Sequence, residues 1–493
     1  MLDTVSATET SSRTVQQYID ETPTWTDGTP VPTTPMTAMQ WLVWWLAAIG
    51  KFFEGYVVFT TGVALPLIQK EFGFDPVVGG LVGAAPLAGI LVGASALGGA
   101  ADAYGRKPVF IGEMLLFVAF LVGISLAPNI PVVVACLFGV GLALGADYPT
   151  AHMIISESIP SRDRGRLVLA AFGFQALGAL FGVGAGYLIL VAEPNLTAWR
   201  WMYALVALPA LLVVFGRLFV PESAHWLMSR DRVDAAQEEM RRLLRREPSY
   251  PKAIALRRAG DGTASVHKPR HYAALFAPRI RRATILASVP WLLQDLSTYG
   301  IGIFTPTIIA STLGHSTGEA NSVAELVHND IIAAKGAAMI DALLIVGIVF
   351  AVLLADRIGR IRLQVIGFVG CAAGLSLAAL SSAFPGSSQI FLIFAGFLIF
   401  NFMTNLGPNA QTYLIAGEVF PTRLRGKGAG FAASVGKIGA VATAFLFPIL
   451  LDDIGRTATL LLLVGAALLG AVVTWRFRID TRGKDLEELH AES

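Results

Sequence analysis

The chain has 493 residues, of which 54% are hydrophobic and 15% charged, with 50 glycines and a formal net charge of +2. Soluble domains carry about 25% charged residues and glycine is enriched in bilayer-crossing helices, so this composition reads as a membrane protein. The small net charge argues against a nucleic-acid partner, and two cysteines, Cys136 and Cys371, each within an apolar run, exclude a disulfide framework.

Residues 1–38 are polar and rich in Thr and Pro. They lack the basic start and short apolar core of a cleavable signal peptide, so a disordered cytoplasmic tail is expected, with the first apolar segment as an uncleaved targeting signal. A spanning helix needs about 20 apolar residues. Twelve stretches qualify, near 40–68, 77–101, 108–127, 130–154, 167–192, 199–220, 283–310, 333–355, 363–384, 388–416, 427–451 and 457–477. They divide into a first six-helix bundle over 39–220 and a second over 283–478. Between them, 221–282 is a basic linker that continues a stretch beginning at Arg217 and holds Arg241-Arg242, Arg245-Arg246 and Arg257-Arg258. The run 235–246 has helical character, so short surface helices are expected there, and 479–493 forms a C-terminal tail. Lys and Arg concentrate in alternate connections, which by the positive-inside rule places both termini in the cytoplasm. The polar stretch 311–335 is then an external loop, and Asn195-Leu-Thr197 an external glycosylation sequon.

Two motifs occur twice. Glu157-Ser-Ile-Pro160-Ser161-Arg162-Asp-Arg164-Gly165-Arg166 returns about 260 residues later as Glu418-Val-Phe-Pro421-Thr422-Arg423-Leu-Arg425-Gly426-Lys427. Ala101-Asp102-Ala-Tyr-Gly105-Arg106 returns as Ala355-Asp356-Arg-Ile-Gly359-Arg360. The chain is therefore a duplication, the pattern of transporters that rock one half against the other. Asp102, Arg106, Glu157 and Arg164, with Asp356, Arg360, Glu418 and Arg425, are read as a cytoplasmic latch that holds the halves together and breaks when that side opens. The alternative is that these charges only fix topology.

These motifs, Gly98–Lys107, its echo at Asp356–Arg360, and Pro221-Glu222-Ser223 after the sixth segment, resemble the major facilitator superfamily over about 40–480. The resemblance implies an all-α membrane fold of twelve transmembrane helices in two pseudo-symmetric six-helix bundles.

A charge inside the bilayer costs several kcal/mol, about 2.5–3.5 on the lenient scale, so each one is a functional candidate. The segments hold Lys51, Glu54, Glu113, Asp147, His152, Asp295 and Lys437. In the seventh segment Trp291, Asp295 and Tyr299 recur every four residues, on one helical face. Gly145-Ala-Asp147-Tyr148-Pro149, Phe-Gln175-Ala-Leu-Gly178, Trp291-x3-Asp295-x3-Tyr299, Gly407-Pro408-Asn409 and Ser434-Val-Gly436-Lys437 together resemble the proton-coupled inorganic phosphate symporters of this superfamily. That resemblance implies a phosphate site lined by Tyr148, Gln175, Trp291, Asp295 and Tyr299, with Asn409 and Lys437 beside it, and proton handling by Glu54, Asp147 and Asp295. Two positions depart from the pattern. The first segment reads Glu54-Gly55-Tyr56-Val57 and lacks a second acid, and Leu137 stands where the family has an Arg before the fourth-segment Asp.

For the site residues a bland reading stands beside each role: packing aromatics for Trp291 and Tyr299, an interhelical hydrogen bond for Gln175, a static pair with Lys51 for Glu54. If the solute is dihydrogen phosphate, protons bind first, the anion follows, and deprotonation toward the cytoplasm expels it. The other solutes kept open are an organic acid or a sugar-like compound, and a receptor that binds without turnover is a third reading. The sequence holds no P-loop, HExxH or nucleophile elbow, so neither an enzyme nor ATP-driven transport is expected. No cofactor and no metal is expected; the partners are a small solute, protons and the lipid bilayer, with the chain a monomer.

Overall fold

The computed structural model describes residues 13–21, 29, 36–97, 100–245, 254–256, 272–313, 323–384, 386–420 and 424–479. A short α1 (Val15–Asp20) precedes the first bundle. That bundle contains α2 (Ala38–Phe72), α3 (Pro76–Val92), α4 (Ala100–Tyr104), α5 (Arg106–Ser125), α6 (Ile130–Ser158), α7 (Ser161–Ala192) and α8 (Ala198–Leu218). α9 (Ala224–Ser229) and α10 (Val233–Leu243) lie in the linker. The second bundle contains α11 (Pro278–Leu313), α12 (Val323–Ile358), α13 (Arg360–Leu380), α14 (Ser387–Leu406), α15 (Pro408–Glu418), α16 (Arg425–Asp453) and α17 (Gly455–Arg476). α3 runs on through a π turn at Gly93–Leu97, and α14 and α15 together make one crossing broken at Gly407, ahead of Pro408.

Among the described residues eleven helical stretches are long and apolar enough to cross a membrane. α11 has the length but not the apolarity. Gln294, Asp295, Ser297 and Thr298 occupy its middle, all buried. Leu205, Leu208, Leu212 and Phe215 on α8 are more than half exposed, as expected of a face turned to acyl chains.

Local signals set the helix ends. The Thr37 side chain accepts from the Gln40 amide and the Gln40 side chain answers it, closing a capping box on α2; Asp75 and Asn129 cap α3 and α6. The repeated motif folds the same way twice. Gly105 (φ 104°) and Gly359 (φ 96°) both take a left-handed turn that favours glycine, immediately before Arg106 and Arg360.

The duplication governs the packing. α2 packs on α7 in the first bundle as α11 packs on α16 in the second, and α5 on α8 as α13 on α17. Between the bundles, α3 meets α16 and α12 meets α7, again as equivalents. At the end of this seam remote from α1 the contact is backbone on backbone. A side chain at Gly62 of α2 would run into the Ile303 carbonyl of α11, and one at Gly80 of α3 into the Phe445 carbonyl of α16. At the other end the bundles part around a cavity of about 660 Å³.

Two expectations change. Part of the amino-terminal tail is ordered: Val15, Tyr18 and Ile19, spaced as one helical stripe, are buried, and Asp20 accepts from the Ser161 amide (2.7 Å) at the start of α7. The tail also reaches the linker, where Tyr18 bonds to Ala255. The stretch 311–335 is not a loop throughout: α11 runs to Leu313 and 323–335 are the first turns of α12, while 314–322 lie outside the described residues, as do Arg257-Arg258 and 480–493.

Candidate functional site

The site is built where α2 and α7 approach most closely. Gly55 faces the backbone at Gln175, and Gly178 faces the backbone at Phe52, so a Cβ at either would force the helices apart. This brings the Gln175 amide to the Glu54 carboxylate (3.4 Å). One turn earlier on α2, Lys51 binds the other Glu54 oxygen (2.5 Å), with its ammonium 3.2 Å from the Tyr148 ring centroid.

From the second bundle, α11 and α16 complete the cluster. Lys437 lies 3.4 Å from Glu54, 3.8 Å from Asp295 Oδ2, and 2.5 Å from the Tyr299 hydroxyl. Gln175 also donates to the Tyr299 hydroxyl (3.0 Å) across the seam. Two ammonium groups and two carboxylates thus share a buried space, with Asp295 Oδ2 left without a hydrogen bond. Each ion offsets the desolvation of another, which is what allows four of them in an apolar interior.

Below this cluster the cavity opens toward the repeated motifs. Tyr148, His152, Trp291, Tyr413 and Lys437 line its deep end; Arg164 and Glu418 line its mouth, one from each bundle. Tyr413 is the hub of the aromatic wall, stacked on Phe172 (4.9 Å between centroids), edge-on to Trp291 and bonded to His152 Nδ1 (3.0 Å). The sequence singles out neither Tyr413 nor Phe172, and it shows His152 only as one of the polar groups inside the segments. Their link runs between bundles and has no signature within either helix.

Six of the expected site residues therefore meet or border one space: Tyr148, Gln175, Trp291, Asp295, Tyr299 and Lys437, with Glu54 at its centre. Two stand apart. Asn409 belongs to an amide line inside the second bundle, accepting from Gln294 (3.1 Å) and donating to Asn405 (2.5 Å). Asp147 points into the first bundle, where Arg217 donates to it (2.7 Å) and to Glu113 (3.2 Å). Arg217 is fully buried, lies 3.5 Å from the Phe110 ring centroid, and also bonds the Phe110 and Leu46 carbonyls. Gly50 of α2 presses on the Asp147 carboxylate, where a Cβ would collide with it. Leu137 is buried and apolar, and the guanidinium that Asp147 needs comes from the end of α8 instead. In sequence Arg217 reads as the first charge of the linker; only the tertiary fold turns it inward.

The latch residues form pairs within each bundle. Arg106 binds Glu157 through two nitrogens (3.1 and 3.0 Å) and Asp102 through a third (3.0 Å), while Arg360 binds Glu418 (2.8 Å). Glu222, of the Pro-Glu-Ser element, accepts from the Arg106 and Lys107 amides, and Ser223 donates to Glu157 (2.5 Å). Among the described residues Arg164 Nε has no hydrogen-bond partner, and the side chains of Asp356 and Arg425 lie outside them. The pairs described here thus lie within each bundle, at the end where the bundles part around the cavity.

Comparison with known proteins agrees with this architecture. The family described as "Sugar (and other) transporter" matches residues 43–492. "Probable inorganic phosphate transporter 1-12" of Oryza sativa subsp. japonica is 29% identical, with 91% of each chain covered. "Inner membrane metabolite transport protein YgcS" of Escherichia coli (strain K12) is 30% identical, over 88% of this chain and 90% of that one. "Glucose transporter GlcP" of Staphylococcus epidermidis is 27% identical, over 93% and 98%. The partially occluded inward-open xylose transporter XylE from E. coli superposes with a TM-score of 0.72 at 19% identity, covering 91% of this chain and 100% of that chain. With twelve long helices in two equivalent bundles and a family match over almost its whole length, the chain is a multi-pass membrane transporter of the sugar (and other) transporter family, within the major facilitator superfamily.

Proposed function

We propose that this protein is a secondary transporter that moves a small oxyanion, inorganic phosphate first among them, together with protons. The observation that carries the reading is the setting of Glu54. Its carboxylate is held by Lys51, Lys437, Gln175 and Tyr299, which are the donors an oxyanion requires. Glu54 occupies them as an internal anion. Protonating Glu54 or Asp295 leaves the two lysines in excess and frees their donors for a solute anion; deprotonation restores the internal pairs and displaces it. Solute and proton then favour the same state, which is the condition for symport.

Asp147 takes its proposed part at a distance. Two carboxyls on one guanidinium leave room for one proton between Glu113 and Asp147, and Gly50, the chain neighbour of Lys51, passes any movement there to α2. Rocking of the bundles about the seam would exchange the cavity for one on the opposite side, and closing the present mouth would bring Arg164 toward Glu418. Both termini, the linker and this mouth lie on the cytoplasmic face in this reading, and the protein works as a monomer.

Purified protein in vesicles, given labelled phosphate and an inward proton gradient, should accumulate phosphate; the absence of uptake rejects the anion assignment. A second reading, an organic acid, draws on the aromatic wall of Trp291, Tyr148 and Tyr413 beside Lys437, which a bare oxyanion does not use. Competition by a panel of carboxylates and sugars separates the two.

A further inference from the structure

Asp341 sits near the middle of α12, 1% exposed. Its Oδ1 accepts from Asn401 Nδ2 of α14 at 2.9 Å, and its Oδ2 has no hydrogen-bond partner among the described residues. Among the described residues no cation pairs with it, and no charged or titratable side chain on the helices packed against α12 acts on it. This separates it from the buried acids discussed above, Glu54, Asp295, Glu113 and Asp147, each of which has a Lys or Arg within reach. A lone carboxylate at this depth is too costly to persist without water, so in the packed state shown here the group is held neutral by a proton. It ionises only where the bundle opens enough to hydrate it.

The neighbourhood links it to the seam. Asn405, one turn after Asn401, donates to the Leu344 carbonyl of α12 (2.8 Å), then receives from Asn409 (2.5 Å), which accepts from Gln294 (3.1 Å), the chain neighbour of Asp295. This line crosses the break at Gly407, the point where the α14–α15 crossing can flex. Asp330, three turns back along the same face of α12, is also buried and without a hydrogen-bond partner among the described residues, so the acidic face continues toward the far end of the helix.

We propose that Asp341 is a second proton-binding site of the transport cycle, carried within the second bundle apart from the Glu54–Lys437–Asp295 cluster, its donor Asn401 lying on α14 one turn from the Asn405–Asn409–Gln294 line that reaches α11. This rests on the reading that transport is proton-coupled. The test uses the full-length protein in lipid and has one readout that needs no solute. Infrared difference spectra between acid and alkaline pH should contain a carboxylic-acid band that titrates in the wild type and is missing from Asp341→Asn. A band that stays constant at all pH values, or a spectrum unchanged by the substitution, overturns the proposal, whatever the solute proves to be. In vesicles, Asp341→Asn should keep solute counterflow within about twofold while proton-driven accumulation falls at least about fivefold. Equal loss of both assigns Asp341 a structural role and overturns the proposal. Should that variant fail to fold, Asn401→Leu, which keeps the carboxyl and removes its donor, must move the midpoint of the band; an unmoved midpoint is equally negative.

Discussion

The transporter buries two ionic clusters, and they are built on different plans. The Glu54 cluster takes Lys51, Glu54 and Gln175 from one bundle and Asp295, Tyr299 and Lys437 from the other. The Arg217 triad takes all three of its charges, Glu113, Asp147 and Arg217, from the first. When the bundles rock, the former must lose or exchange partners and the latter can move as a body. The same chemistry, carboxylates satisfied by cations in a low-dielectric interior, thus serves change in one place and cohesion in the other.

This contrast is sharpest at Arg217. Replacing it with Met strands two buried acids, and detergent-solubilised protein should lose about 3–5 kcal/mol of stability, read as an earlier thermal transition. Adding Glu113→Gln and Asp147→Asn should recover most of that loss, because a neutral, packed triad needs no counter-ion. Failure to recover would mean that Arg217 matters for more than charge. Next in size, Glu54→Gln should leave the fold intact and solute binding present, yet cut proton-driven accumulation about a hundredfold, since the lysines then stay in excess throughout the cycle. A stability loss comparable to that of Arg217→Met would erase the distinction between the clusters. Gln175→Ala removes one donor shared across the seam and should weaken solute binding about tenfold by equilibrium dialysis, close to 1.4 kcal/mol. The smallest effect is expected from Arg360→Gln. Its pair with Glu418 is partly exposed and braces one bundle, so transport rate should change only about twofold.

Most of the scaffold was legible in the sequence. Segment lengths, the repeated Gly-Arg turns and the division into two sets of six are local or periodic signals, and they reappear as helices packed in equivalent pairs. Trp291, Asp295 and Tyr299, spaced four apart, lie along one face of α11, the first at the cavity and the other two at Lys437. What could not be read was partnership over distance. Nothing in a linear chain says that Arg217, beside a basic linker, reaches Asp147 seventy residues away rather than marking topology. Tyr413 was hidden for the same reason, since its ring gathers neighbours from α6, α7 and α11. Asp341 was overlooked inside a long apolar run whose neighbours mask a single acid. The α1 stripe was lost in a tail whose overall polarity speaks for disorder, although three apolar side chains at helical spacing suffice to dock it.

At the far end of the seam Gly62 rests on Ile303 and Gly80 on Phe445, main chain against main chain. Parting such surfaces sacrifices dispersion contacts but no charge pair. The joint resembles a dry bearing, indifferent to ionic strength. The opposite mouth, rimmed by guanidinium and carboxylate groups near water, should be weakened by added salt. One stroke of the cycle would then be salt-blind and the return stroke salt-sensitive, so kinetics measured in both directions across vesicles of varied potassium chloride would reveal which stroke limits turnover.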